Sequence, residues 1–125
     1  MAYFEELKTW IHAKSLTLLV YNLMRENRDY GFKDQIQRAS VSIMNNIAEG
    51  SEYKTPQAFI KFLSIAKGSC AEVRSMAYLC RELDYCTEDQ FQQLLSECKI
   101  ISSAINNHIK YLNESLQTSQ TLKTP

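Results

Sequence analysis

Apolar residues recur three and four positions apart along nearly the whole chain, the spacing that gathers them on one side of an α-helix. The first such run spans about Tyr3 to Asn27. Phe4, Leu7, Ile11, Leu18 and Tyr21 mark one side, and Trp10, Ala13, Leu16, Val20 and Leu23 widen the apolar arc. Asn27 to Gly31 is polar and ends in glycine, which suits a turn. In the second run Ile36, Ser40, Ile43 and Ile47 fall within a narrow arc flanked by Ala39, Val41, Met44 and Ala48. It stops at Gly50, a residue type suited to the position just past a helix C-terminus.

The third run opens on Thr55-Pro56, an N-cap followed by proline at the first helical position. Phe59, Phe62, Leu63, Ala66, Cys70, Val73, Ala77, Cys80 and Leu83 keep its spacing. Thr87 with Gln90 three residues on is a capping box for the fourth run, Phe91, Leu94, Cys98, Ile101, Ile105, His108 and Leu112. Each helix is about 27 to 45 Å long at 1.5 Å per residue. Short connections force sequential neighbours antiparallel, so the expected fold is all-α, an up-down-up-down four-helix bundle over residues 1–116. Residues 117–125 have no periodicity and are expected to be a disordered tail. The apolar arcs of the first two helices are wider than one core needs, which predicts self-association into a homo-oligomer.

The polar side of the second helix is unusual. Gln35, Arg38, Ser42, Asn45 and Glu49 lie opposite its apolar arc. A solvated face is usually built from interchangeable Lys and Glu, whereas amide, guanidinium, hydroxyl and carboxylate groups suit specific hydrogen bonds. A structured contact with a neighbouring helix or subunit is expected there, against the plainer alternative of a wet face.

Composition narrows the function more than it names it. The 125 residues carry 14 basic and 14 acidic side chains, and only three Gly and two Pro interrupt them. Zero net charge argues against a uniformly basic nucleic-acid binder and leaves room for a local patch. The N-terminal MAYFEELKTW is acidic where a signal peptide is basic, and no apolar run is long enough for a bilayer, so a cytoplasmic protein with no membrane contact is expected. Cys70, Cys80, Cys86 and Cys98 lack CxxC spacing and paired histidines, so no metal site is read. Cys70, Cys80 and Cys98 read as small core residues, and Cys86 sits in a turn.

No Glu-x-x-His pair, HExxH, phosphate loop or dinucleotide glycine motif occurs, and His12 and His108 have no acidic partner at ligand spacing. His108 reads as a buried, hydrogen-bonded histidine and Gly68 as a point of close helix approach. The expectation is a protein without catalytic residues or cofactor. One binding feature stands out. Lys67, Arg74 and Arg81 recur every seven residues in a single row with Tyr78 beside it, a pattern that holds phosphates and stacks a base. Glu72 and Glu82 flank the row and weaken its potential, so an ordinary solvated face is the alternative.

Taken together, Gln35, Arg38, Ser42, Asn46-Ile47-Ala48-Glu49-Gly50, Phe59, Phe62-Leu63, Ile65-Ala66, Gly68-Ser69 and Glu72 resemble the 23S ribosomal RNA intervening-sequence protein family. Trp10, Ala13, Leu16 and Tyr21 extend the likeness over roughly residues 3 to 113. The resemblance implies an antiparallel four-helix bundle assembled as a ring-like homopentamer, with no established catalysis. It implies bacterial genes lying within 23S rRNA intervening sequences or standing alone. Related bundles are accessory proteins of retroelements, where they contact nucleic acid and a reverse transcriptase. Gln35, Arg38, Ser42, Asn46, Glu49, Gly50, Gly68, Ser69 and Glu72 carry over as motif or interface positions. Two departures stand out: Ser51-Glu52-Tyr53-Lys54 supplies one basic residue where several are common, and position 40 is Ser where a small apolar residue is common. Two functions follow as expectations: RNA binding through Lys67, Arg74, Tyr78, Arg81 and Arg38, or a protein-interaction scaffold.

Overall fold

The computed structural model describes residues 3–123, with burial described as far as Thr118. A 3₁₀ turn at Phe4–Glu6 precedes four helices: α1 (Lys8–Met24), α2 (Tyr30–Ser51), α3 (Pro56–Glu82) and α4 (Glu88–Lys123). No strand occurs among the described residues. The two capping signals read from sequence are formed. Thr55 Oγ1 accepts from Ala58 N at 3.3 Å, and Thr87 and Gln90 exchange side chain-to-backbone bonds at 2.8 and 3.1 Å.

The first helix ends at Met24, three residues before the expected Asn27, and three further boundaries differ from the sequence expectation, each for a local reason. The first helix starts five residues late, because Leu7 is extended (φ −74°, ψ 127°) and no side chain caps Lys8. Asp29, not the glycine after it, opens α2: its carboxylate accepts from Phe32 N at 3.2 Å, so Gly31 lies inside the first turn. Helix α4 continues to Lys123 through the segment expected to be a tail; with no Gly or Pro between Glu88 and Lys123, extension needs no new nucleus. Thr124 and Pro125 lie outside the described residues.

One apolar core runs the length of the molecule. Leu16, Val20 and Met24 of α1 meet Ile36, Ile43 and Ile47 of α2, Leu63, Val73 and Cys80 of α3, and Phe91, Leu94, Ile101 and Ile105 of α4. Helix α1 packs on α2 and α4, and α3 packs on α2 and α4, while α1 and α3 do not meet. The buried Thr17 hydroxyl lies 3.1 Å from Ser40 O and 2.8 Å from Ala13 O, a polar stitch between α1 and α2. Along the seam of α3 with α4, Phe59 faces His108, Tyr78 faces Phe91 and Arg81 faces Glu88.

The apolar side read first on α1 does not face this core. Ile11, Leu18 and Tyr21 are exposed at 46%, 57% and 44%, and Ala13, Leu16, Val20 and Met24 fill the interior instead. Ile65 and Leu79 on α3, and Leu83 at its C-cap, are likewise exposed.

Candidate nucleic-acid interface

The predicted polar face of α2 divides into two sets. Ser42 and Ser69 hydroxyls lie 2.8 Å apart between α2 and α3, and Asn46 Nδ2 donates to Ser42 O and Oγ at 2.8 and 3.1 Å. Gln35 Nε2 donates to Glu72 Oε2 at 3.4 Å. These residues form the specific helix-to-helix contact the pattern implied. Arg38, Asn45 and Glu49 are exposed instead, and the Arg38 guanidinium turns back to Asp34 at 2.8 Å within its own helix.

The two motif glycines differ in their surroundings. Gly50 is buried and helical, not a residue past the helix end. A Cβ there would stand 2.7 Å from Phe62 Cβ and 3.0 Å from the Phe59 ring, so the α2–α3 approach requires glycine. Gly68, expected at a close approach, is exposed, with nothing within 4 Å of an added Cβ. The close approach in this chain belongs to Gly50.

Of the basic row, only part is available to a ligand. Lys67 and Arg74 are exposed and enter no ion pair among the described residues. Arg81 is folded onto the protein: its guanidinium sits 4.2 Å above the Phe91 ring and 5.6 Å from Tyr78, with Glu82 and Glu88 at 3.5 and 3.9 Å. Such a partly desolvated cation–π contact fixes the α3–α4 corner. Tyr78 packs edge-on against Phe91 with centroids 5.0 Å apart, leaving one face to solvent.

Near the start of α3 lies a feature the sequence did not indicate. Where Phe59 meets His108, an open cleft of about 700 Å³ is lined by Tyr53, Lys54, Phe59, His108 and Tyr111. Tyr53 is stacked on Phe62 (5.1 Å, 22°), and the His108 ring stands edge-on to Phe59 at 4.7 Å. His108 thus rests on an aromatic contact, not the expected hydrogen bond, and burial holds its pKa below the ordinary histidine value. The cleft draws on the turn before α3 and on the far part of α4, so no local motif announces it.

Long-range pairing also hid a partner of His12, whose Nδ1 lies 3.9 Å from Glu97 Oε2 across α1 and α4. At the opposite end from the cleft, Asp29 accepts from the Tyr85 hydroxyl at 2.7 Å, and that bond, with the Phe32 amide, holds the Asp29 carboxyl below its usual value. No group of three metal-ligating side chains and no helix long and apolar enough to cross a membrane occurs among the described residues.

Residues 5–107 match the family described as 23S rRNA-intervening sequence protein. Among solved structures, the chain is similar to a protein of unknown function from the S23 ribosomal protein family of Bacteroides thetaiotaomicron. The two share 23% identity over 82% of this chain and 98% of that one, with a TM-score of 0.77. No curated protein matches the chain.

Proposed function

The chain belongs to the 23S rRNA-intervening sequence protein family, and from that premise we propose that it is a non-enzymatic, cytoplasmic bundle of antiparallel helices that assembles into a homopentameric ring and binds single-stranded RNA along the α3–α4 seam. The observation that carries the RNA reading is the exposed, unpaired Lys67 and Arg74, one heptad or about 10 Å apart on α3. The aromatic cleft extends the same seam, with Lys54 at hand for phosphate and Tyr53 and Tyr111 for stacking. Side-chain partners that pair ever-earlier residues of α3 with ever-later ones of α4 support the antiparallel arrangement.

Assembly is supported by the exposed apolar side chains. Among them, Ile11, Leu18 and Tyr21 lie on α1, and Ile65 and Leu79 lie on α3 with Leu83 just past its end; α1 and α3 do not meet. Two unlike patches on separate flanks join head to tail, the arrangement that closes into rings. Gly68 fits the same scheme: nothing described lies within 4 Å of an added Cβ, which leaves room for a second subunit to approach.

RNA binding is tested by titrating a labelled single strand against the oligomer over a salt series. Affinity should fall steeply with salt, and replacing Lys67 and Arg74 with Ala should flatten the slope by about 0.7 for each phosphate left unneutralised. Arg81→Ala should leave the slope alone and lower stability. Absent or salt-insensitive binding at low ionic strength removes the RNA reading. The second reading, a scaffold for a reverse transcriptase or other protein, would then stand, favoured by the zero net charge and the same exposed apolar residues.

A further inference from the structure

A small recess lies between α3 and α4 beside the two exposed cations. Its volume is about 60 Å³, and it is lined by Lys67, Cys70, Ala71, Arg74, Cys98 and Ser102. Ala71 falls between Lys67 and Arg74 on one row of α3, one turn from each. Its side chain stops at Cβ, so a gap opens between the two long basic side chains. The buried Cys70 and Cys98 close the inner side, and Ser102 comes from α4. No acidic residue lines the recess. Glu72, which flanks the row in sequence, accepts from Gln35 instead.

The Ser102 hydroxyl is left unused by the fold. A helical serine commonly donates to the carbonyl four residues earlier, here Cys98 O. That oxygen already serves the helix ladder and also accepts from the Cys70 thiol at 3.2 Å. Ser102 Oγ makes no hydrogen bond among the described residues, so one donor in the recess awaits an acceptor.

We propose that the recess seats the terminal phosphate of an RNA strand, a phosphomonoester, with Lys67 and Arg74 matching its charge and Ser102 donating to one of its oxygens. This assignment rests on the RNA reading of the same two cations. Size favours a phosphate over a base. At about 15 Å³ for each water-sized atom, 60 Å³ holds about four, the phosphorus and three free oxygens of a monoester. A nucleobase is too large to enter. Charge favours the end of a strand over its interior. A phosphomonoester carries about −1.5 to −2 at neutral pH and offers three acceptor oxygens. A phosphodiester within the strand carries a single charge and leaves only two oxygens free. Two cations with no carboxylate between them suit the first better than the second.

The test titrates the full-length protein with one single-stranded RNA carrying a terminal phosphate, and with the same strand ending in hydroxyls, at constant ionic strength. The phosphorylated strand should bind about tenfold more tightly, the worth of a hydrogen bond to a charged group. Ser102→Ala should remove most of that gain. Ala71→Leu, at an exposed position, fills the recess with both cations still in place, and should abolish the gain altogether. Inorganic phosphate should reverse the gain only in large excess over the strand. Equal affinity for the two strands, or a gain that survives Ala71→Leu, would overturn the proposal and leave the RNA reading standing. Reversal by equimolar inorganic phosphate would assign the recess to the free ion and overturn the strand-end assignment. Binding of neither strand removes the RNA reading itself, and this assignment with it.

Discussion

At the scale of single residues, burial decides which sequence signals matter. Gly50 and Gly68 look alike in the sequence, one ending NIAEG and the other opening a Gly-Ser pair. Only at Gly50 would a methyl group meet another helix, 2.7 Å from Phe62 Cβ. Gly50→Ala should destabilise the fold by about 1–3 kcal/mol through overpacking. Gly68→Ala should leave the isolated chain unchanged or raise its stability by up to about 1 kcal/mol, while weakening the oligomer. Thermal melts alongside sedimentation separate the two effects. A second prediction concerns His108. Burial lowers its pKa, so below about pH 6.5 the unfolded chain takes up a proton more readily than the folded one. Stability should be full above that pH and decline as pH falls toward the depressed folded value. His108→Phe should flatten that part of a melting-temperature profile. Arg81 shows what residue-level pattern could not supply: its row spacing is that of Lys67 and Arg74, but Phe91 and Glu88, which occupy it, come from a helix whose alignment the sequence leaves open.

At the scale of elements, legibility followed the capping chemistry. Helices α3 and α4 begin where Thr55-Pro56 and the Thr87/Gln90 box place them, because these signals act over three residues and require no tertiary context. Helix α1 lacks such a cap, and its apolar residues extend all round, so neither its start nor its inward face could be read. The end of α3 was hidden too. It closes with Tyr85 N to Cys80 O at 2.9 Å and Asp84 N to Arg81 O at 3.1 Å, with Asp84 in the left-handed region at φ 58°. This is a Schellman arrangement carried by aspartate where glycine is usual. Asp84→Gly should stabilise the protein by about 1 kcal/mol by relieving that conformation. Thr87→Ala, three residues on, should cost about 1 kcal/mol by unmaking the box. Chemical denaturation of the two variants should move the midpoint in opposite directions, and a matching direction would contradict this account of the corner.

At the scale of the whole molecule, the apolar interior is closed and the outside is not; Glu97 Oε2 is the buried side-chain oxygen left without a hydrogen bond among the described residues. The core is continuous through all four helices, yet α1 and α3 each present large apolar side chains on flanks that none of the described residues covers. The sequence pattern placed the surplus on the first two helices, and the structure puts it on α1 and α3, because the wide arc of α2 is largely buried between its neighbours. Which residues made it up was not evident, since that depends on how each helix is rotated about its axis. The central claim is that these two unlike flanks join head to tail, and mixing two damaged subunits tests it most directly. Leu18→Glu spoils the α1 flank and leaves α3 whole, and Leu79→Glu does the reverse. The wild-type protein should have the mass of five chains by native mass spectrometry, and each variant alone should be monomeric. An equimolar mixture should give a species of two chains, one of each kind, because it retains one intact pair of flanks. A wild-type monomer, or two variants that stay monomeric when mixed, would contradict the account.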